Sequence, residues 1–240
     1  MKAFKNHYLA LKHALTLLLS GHFLIFFIPG LVIASFYLIY IIIVGSVGSL
    51  VGFISYIPWI GSYMGLAVDS IFNGVNSVSI YLYQFTIITL LSPFHTILSE
   101  RVETHKNGKT YKSNFSKFFN DLLRTLGIAI LGAIIYLSLF LLWSFLAWIF
   151  NLNFLSPFIS AILIAFFTGF NSYDYSLERH GIKVKDSWVF AFQNPLQMIL
   201  TGLIFTIILY IPVIGVVIAP VLLTMVGTIN YLKLTQNQSI

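Results

Sequence analysis

Two long stretches of the chain contain no charged residue, one from Thr125 to Tyr173 and the other from Ser187 to Leu232. A third stretch, between Lys12 and Glu100, has Asp69 as its only charge. Apolar runs well beyond ~20 residues are typical of helices that span a lipid bilayer. Only 8% of the residues are charged, whereas a soluble domain usually carries about 25%. The sequence therefore predicts an all-α integral membrane protein with one membrane domain, residues 1–240.

The positive charges of the chain are grouped between these apolar blocks. Lys and Arg near membrane helices mark the cytoplasmic side of a membrane protein. Each apolar block must then leave the cytoplasmic side and return to it, so we expect both termini to be cytoplasmic and the number of full crossings to be even. The basic segments are residues 2–12, 101–124 and 179–185, followed by Lys233.

The order of apolar and basic segments predicts long transmembrane helices combined with half-penetrating helical hairpins. Full helices are expected near residues 23–45 and 76–99, with a wet or re-entrant segment between them. Residues 112–124 have the pattern of a basic amphipathic helix on the bilayer surface. The predicted segments are an amphipathic N-terminal helix (1–22), a first helix pair (23–99), a cytoplasmic loop with an amphipathic helix (100–124), a hairpin (125–173), a cytoplasmic loop (174–186) and a second hairpin (187–232).

Turn residues divide the two hairpins. We expect the first hairpin to turn at residues 151–157, which read NLNFLSP. In the second hairpin Pro195 suits the first turn of a helix, and Pro212 interrupts it. Residues 196–211 span only ~24 Å as a helix, whereas the hydrocarbon core of a bilayer is ~30 Å thick. This helix is therefore expected to stop short of the far side.

A short sequence occurs twice, as YIPWIG at residues 56–61 and as YIPVIG at residues 210–215. Proline removes a backbone donor and glycine permits a tight turn, so each copy is predicted to form the apex of a hairpin. Two interpretations remain open: ordinary hairpin turns, or a weak internal repeat whose apices meet near a pore. The predicted apex residues are Pro58, Gly61, Pro212 and Gly215.

Sequence motifs for several kinds of chemistry are absent. The chain has no cysteine, and it lacks the phosphate-binding loop GxxxxGK[ST], the zinc motif HExxH and the nucleophile elbow GxSxG. We therefore expect no catalytic residues, no cofactor, no metal and no nucleic-acid partner. Asp69 is a functional candidate if it lies within the membrane; the alternative is a solvated residue in the segment between the first two helices.

Three segments resemble a known family. They are SPFHTILSERVETHKNG (92–108), FNSYDYSLERHGIKVKDSWVFAFQNP (170–195), and Gly202 followed by YIPVIG and APVLLTMVGT. Their order and spacing are similar to those of the CysZ and etoposide-induced protein 2.4 family. Asp174, Tyr175 and Arg179 match that family's Asp-Tyr…Arg positions, and the resemblance covers nearly the whole chain.

The resemblance implies a function as well as a fold. Bacterial CysZ-like members are sulfate permeases of the inner membrane, and eukaryotic relatives are endoplasmic-reticulum proteins linked to autophagy. Their fold combines long transmembrane helices with half-penetrating hairpins in an oligomer. For this chain the resemblance implies a multi-pass protein of the bacterial inner membrane, a homo-oligomer, and a channel or permease for a small inorganic anion, sulfate by family.

One motif differs from the family's pattern. CysZ members carry Pro-Gly-Leu-Arg-Arg near the first membrane helix, where backbone and arginine meet sulfate. This chain has Ser20, Gly21 and His22 there, without either arginine. We take these three residues as candidate anion contacts, with Arg101 and Arg179 at the cytoplasmic mouth.

Two alternatives stay open. Each candidate arginine could instead pair with a carboxylate among Glu100, Glu103, Asp174 and Glu178. The alternative function is a non-transporting scaffold or bilayer-shaping protein, which the two basic amphipathic segments and the missing arginines favour.

Overall fold

The computed structural model describes residues 2–54, 91–108, 115–209, 211 and 214–236. Pro58, Gly61, Asp69 and Pro212, named above as candidates, lie outside the described residues. Within these ranges every regular element is helical, which confirms the all-α prediction. The helices are α1 (Lys2–Leu19), α2 (Phe27–Ile54), α3 (Ser92–Asn107), α4 (Phe115–Ile149), α5 (Ser156–Arg179), α6 (Val184–Gln193), α7 (Pro195–Leu209) and α8 (Ile214–Gln236), with 3-10 turns at Leu24–Phe26 and Asn153–Leu155.

Several of these helices have the length and composition of membrane spans. Within the described residues, Leu123–Ile149, Asn153–Arg179 and Val217–Thr235 each pass this test alone. Two further pairs pass it together although each is sharply bent: α1 with the start of α2, by 99°, and α6 with α7, by 90°. The described helices therefore form a multi-pass membrane protein.

α8 is the central helix of the described structure. It packs against α1, α2, α3, α5 and α7, and 83% of its membrane window is buried, compared with 11% for Leu123–Ile149 in α4. Large apolar side chains such as Leu141 and Trp148 of α4 are exposed instead. In a membrane protein such side chains face lipid, so α4 lies at the periphery and α8 in the interior.

The closest helix crossing joins α5 and α7 through two glycines. A Cβ atom added at Gly202 would lie 1.8 Å from the carbonyl oxygen of Ala165, and one added at Gly169 would lie 1.9 Å from that of Met198. Small residues let helix backbones approach closely where lipid offers no hydrophobic driving force. This contact fixes α7 against α5.

Helix ends lie close to the predicted breaks in both hairpins. α4 ends at Ile149 and α5 begins at Ser156, with Asn151 in the left-handed region at a φ of 56°. α7 begins at Pro195 and ends at Leu209, and α8 begins at Ile214. A helix of 15 residues is only ~22 Å long, so α7 alone is shorter than a ~30 Å hydrocarbon core.

Three helices extend further than the sequence predicts. α3 continues to Asn107, where Gly108 ends it in a left-handed conformation, and α4 runs unbroken through residue 124. α5 continues through Arg179, so the region between α5 and α6 is reduced to residues 180–183. Asp174 and Arg179, two of the charged residues that favoured a loop at 174–179, are buried inside the protein, because other helices supply ion-pair partners for them.

Candidate functional site

The chain turns sharply between α1 and α2 at Ser20, Gly21 and His22. Gly21 has a φ of 80°, a region that residues with a Cβ rarely adopt. The Ser20 hydroxyl donates to the carbonyl oxygen of Leu17 at 2.6 Å, which holds the end of α1. The bend of 99° presents this corner, rather than the side of a helix, to α3.

Phe23 anchors the corner on α3. Its side chain is buried with Leu98 and Val102 of α3 in the same apolar cluster, and its ring meets the ring of His105 edge to face at 6.4 Å between centroids. Because Phe23 is held in this way, the preceding residue, His22, is placed beside the exposed face of α3.

A cleft of about 380 Å³ lies between the corner and α3. Its polar lining consists of His22, Arg101, Thr104 and His105. Phe23, Ile25 and Phe26 supply apolar surface. The two histidine rings are 6.3 Å apart. Of the five candidate anion contacts, His22 and Arg101 line this cleft, whereas Ser20 and Gly21 precede His22 in the chain and do not line it.

The groups around this cleft are suited to an anion. Arg101 is exposed and makes no ion pair within the described residues. In the described part of the corner, Ser20, Gly21, Leu24 and Phe26 donate backbone hydrogen bonds, which leaves the N–H groups of His22 and Phe23 without a backbone acceptor. Free N–H groups and a guanidinium can both donate to an oxyanion.

The neighbouring part of α3 is also basic. Burial lowers the pKa of Lys106 from its ordinary value. The positive charge of Lys233 on α8 lowers this pKa further, whereas the negative charge of Glu103 raises it. His22 Nδ1 lies 3.0 Å from the Ser20 hydroxyl oxygen, which orients the imidazole ring. Grouped positive charges raise the local concentration of anions.

Arg179, the fifth candidate, does not line the cleft. It is buried and forms an ion pair with Glu103 of α3, and its second terminal nitrogen donates to the Ser99 hydroxyl at 2.7 Å. Ser99 in turn lies 2.7 Å from the Thr228 hydroxyl of α8. Arg179 therefore joins α3, α5 and α8 in a buried polar network, and pairing with a carboxylate was the alternative predicted for it.

His180 extends the same network toward the surface. Its Nε2 atom lies 3.4 Å from a Glu103 oxygen. The hydrogen bond to Glu103 raises the pKa of His180 above its ordinary value, because it favours the protonated ring, while partial burial opposes this shift.

A second ion pair joins three helices near the start of α4. Arg124 donates to the Asp174 carboxylate at 2.8 Å, to the Ser187 hydroxyl at 2.9 Å and to the carbonyl oxygen of Ile182 at 2.7 Å. Tyr175, the neighbour of Asp174, stacks on His95 at 5.6 Å. The Asp-Tyr…Arg residues of the family pattern thus contact other helices.

Sequence reasoning did not include His105 among the candidate anion contacts, whereas it named Glu103 as one of the possible carboxylate partners of Arg179. Both lie in the segment 92–108 that carries the family resemblance. Arg101 and His105 are four residues apart on one helix, so they lie on the same face. This spacing could have identified His105 as a neighbour of Arg101. No group of three or more His, Cys, Asp or Glu residues that could hold a metal ion occurs among the described residues.

The helices and the cleft define a class of protein: a multi-pass, all-α membrane protein with a cationic cleft beside its first membrane helix. Over residues 8–220 the chain matches the family described as sulfate transporter CysZ/etoposide-induced protein 2.4. Because the match covers nearly the whole chain, the protein belongs to this family, which is transporter-like. No curated protein matches the chain.

Proposed function

We propose that this protein is a channel or permease for a small inorganic anion, sulfate by its family. One observation carries the proposal: the side chains of His22, Arg101 and His105 surround a single cleft at the start of the first membrane helix. These side chains come from two separate parts of the chain, and the bend between α1 and α2 brings them together.

The cleft supplies the donors that a tetrahedral oxyanion needs. Arg101 offers a planar fork of N–H groups that can bind two oxygens at once. The backbone N–H groups of His22 and Phe23 add neutral donors, and the two histidine rings add further N–H donors. Arg101 on α3 would then replace the family's arginines, which the chain lacks between α1 and α2.

The predictions for Gly215, for Arg179 and for the arrangement in the membrane also belong to this proposal. Gly215 lies where α8 packs on the end of α7, since a Cβ atom there would lie 2.1 Å from the carbonyl oxygen of Ile208; this supports its role at a hairpin apex. The ion pair with Glu103 favours a structural role for Arg179 over direct contact with the anion. We further propose a homo-oligomer in the bacterial inner membrane with both termini in the cytoplasm.

Uptake of radiolabelled sulfate into proteoliposomes tests the function. We expect saturable uptake, reduced at least tenfold by Arg101→Gln, because about 1.5–3 kcal/mol is typical of a hydrogen bond to a charged group. His22→Gln should also reduce it. Lys183→Gln is the matched control, because it removes one exposed positive charge outside the cleft.

Competition with chloride and phosphate identifies the anion. If phosphate competes and chloride does not, the protein is still an anion permease, but its assigned substrate changes. If folded protein shows no anion uptake, the proposal fails and the scaffold function takes its place. If Arg101→Gln leaves uptake unchanged, Arg101 has no part in it.

A further inference from the structure

A second and larger cavity lies on the outer face of the protein between α4 and α6. It is a groove of about 730 Å³ that is open along one side. Leu131 and Ile135 of α4 form one wall, and Val189 and Phe192 of α6 form the other. None of these residues belongs to the cleft beside α3, and the volume is within the ~300–1,000 Å³ typical of small-molecule sites.

The groove has a fixed shape because both of its walls are held. Arg124 hydrogen-bonds to Ser187 and to the carbonyl oxygen of Ile182, which clamps the start of α6 to α4. Trp188 forms part of the lining, and a Cβ atom added at Gly132 of α4 would lie 3.4 Å from its ring. The indole also packs on Phe170 of α5, with 4.3 Å between ring centroids.

The two ends of the groove differ in chemistry. Lys185 lines the end near the start of α6, where Lys183 is also exposed. Neither lysine makes an ion pair within the described residues. Asp186 lies beside Lys185 in the sequence but does not line the groove. Beyond Lys185 the lining is apolar except for Trp188 and Gln193, so the groove offers a positive charge followed by a mainly hydrocarbon surface.

Trp188 marks the boundary between these two ends. Its side chain is buried, and its indole N–H has no acceptor among the described residues. Tryptophan is enriched at the level of lipid headgroups, because its ring is apolar and its N–H is polar. The groove also opens beside Leu123–Ile149 of α4, whose large apolar side chains are exposed to the bilayer.

We propose that this groove binds one anionic phospholipid, with the phosphate group at Lys185 and an acyl chain between α4 and α6. A lipid is the occupant that the geometry favours, because the groove opens toward the bilayer and its lining beyond Lys185 is almost wholly apolar. The charge of Lys185, unopposed by a carboxylate in the lining, selects an anionic headgroup over a zwitterionic one.

Native mass spectrometry of the detergent-solubilised protein tests this site. The protein is titrated with phosphatidylglycerol or with phosphatidylcholine of the same acyl chains, and bound lipids are counted. We expect one phosphatidylglycerol to be retained preferentially, and Lys185→Gln to weaken its binding by about fivefold, the effect of one lysine near a membrane surface. Lys5→Gln, which removes another exposed lysine outside the groove, is the control and should change nothing.

A second variant tests the acyl-chain part of the site. Val189 is 45% exposed, so Val189→Trp can fill the groove without entering the core, and it should abolish retention of the specific lipid. Equal retention of both lipids by the wild type would overturn the proposal, as would an unchanged lipid count in Val189→Trp. A change of oligomeric mass in Val189→Trp would overturn it too, because the groove would then hold a second copy of the chain.

Discussion

At the scale of single residues, the glycines at the helix crossing are the most constrained positions. Gly202→Ala would place a methyl group 1.8 Å from the Ala165 carbonyl oxygen, so α5 and α7 must move apart. Overpacking of this kind typically costs about 1–3 kcal/mol. We expect Gly202→Ala to lower the free energy of unfolding by about 1–3 kcal/mol or more. A denaturant titration in micelles measures this loss.

The matched control for this prediction is Gly127→Ala on α4. No atom lies within 4 Å of a Cβ placed there, so this change should be neutral or stabilising by up to ~1 kcal/mol through helix propensity. If Gly202→Ala is as stable as Gly127→Ala, the two helices do not cross as closely as the structure shows.

Residue-level chemistry also explains which site residues the sequence could predict. Gly21 and His22 were found because they occupy a recognisable motif position, and Arg101 because it is a charge at the end of an apolar block. The proximity of His22 to Arg101 and His105 could not be read from the sequence, since it depends on a bend of 99° between α1 and α2. The Glu103–Arg179 pair likewise joins residues that are 76 positions apart.

At the scale of secondary-structure elements, local turn signals were sufficient for some helix ends and not for others. Proline and asparagine determine the turn before Ser156 and the start of α7 at Pro195, because they act on their own backbone. The continuation of α5 to Arg179 has a non-local cause. Asp174 can remain helical and buried only because Arg124, which is 50 positions away, neutralises it.

Arg124 gives a prediction about how α4, α5 and α6 are joined. Arg124→Gln would leave the Asp174 carboxylate buried without its cation, and breaking a buried pair typically costs ~3–5 kcal/mol. Arg124 keeps some exposure to solvent (16%), so we expect about 3 kcal/mol, the lower end of this range. Denaturant titration in micelles measures the loss of unfolding free energy.

Two further variants separate the ion pair from general effects. Adding Asp174→Asn to Arg124→Gln should recover part of the loss, because no buried charge then remains. Arg101→Gln, at an exposed arginine with no ion pair in the described residues, should change stability by less than ~0.5 kcal/mol. An additive double variant would show that the two side chains do not interact.

At the scale of the whole molecule, the position of α8 organises the fold. A helix buried by five others gives the bundle a centre, and the polar side chains of that helix, Thr224, Thr228 and Asn230, are buried there. The cationic cleft and the lipid groove lie on different elements around this centre. The buried polar network joins α3, α5 and α8, whereas the groove lies on the outer face between α4 and α6.

The topology of the molecule can be tested directly because the chain has no cysteine. Single cysteines at Lys5, Asn107 and Lys183, all exposed, should react with a membrane-impermeant maleimide from the cytoplasmic side. A cysteine at Asn151, in the turn between α4 and α5, should react from the opposite side. Labelling of Lys5→Cys and Lys183→Cys from opposite sides would contradict an even number of crossings between them.

The same experiment decides whether α7 crosses the membrane. Ile211, in the break between α7 and α8, is exposed, and α7 before it is only ~22 Å long. If this hairpin penetrates halfway, Ile211→Cys will react much more slowly than Asn151→Cys from that side, because lipid or protein separates it from the reagent. Rapid and equal labelling of both positions would show a full crossing, because the break between α7 and α8 would then reach the far surface as the turn at Asn151 does.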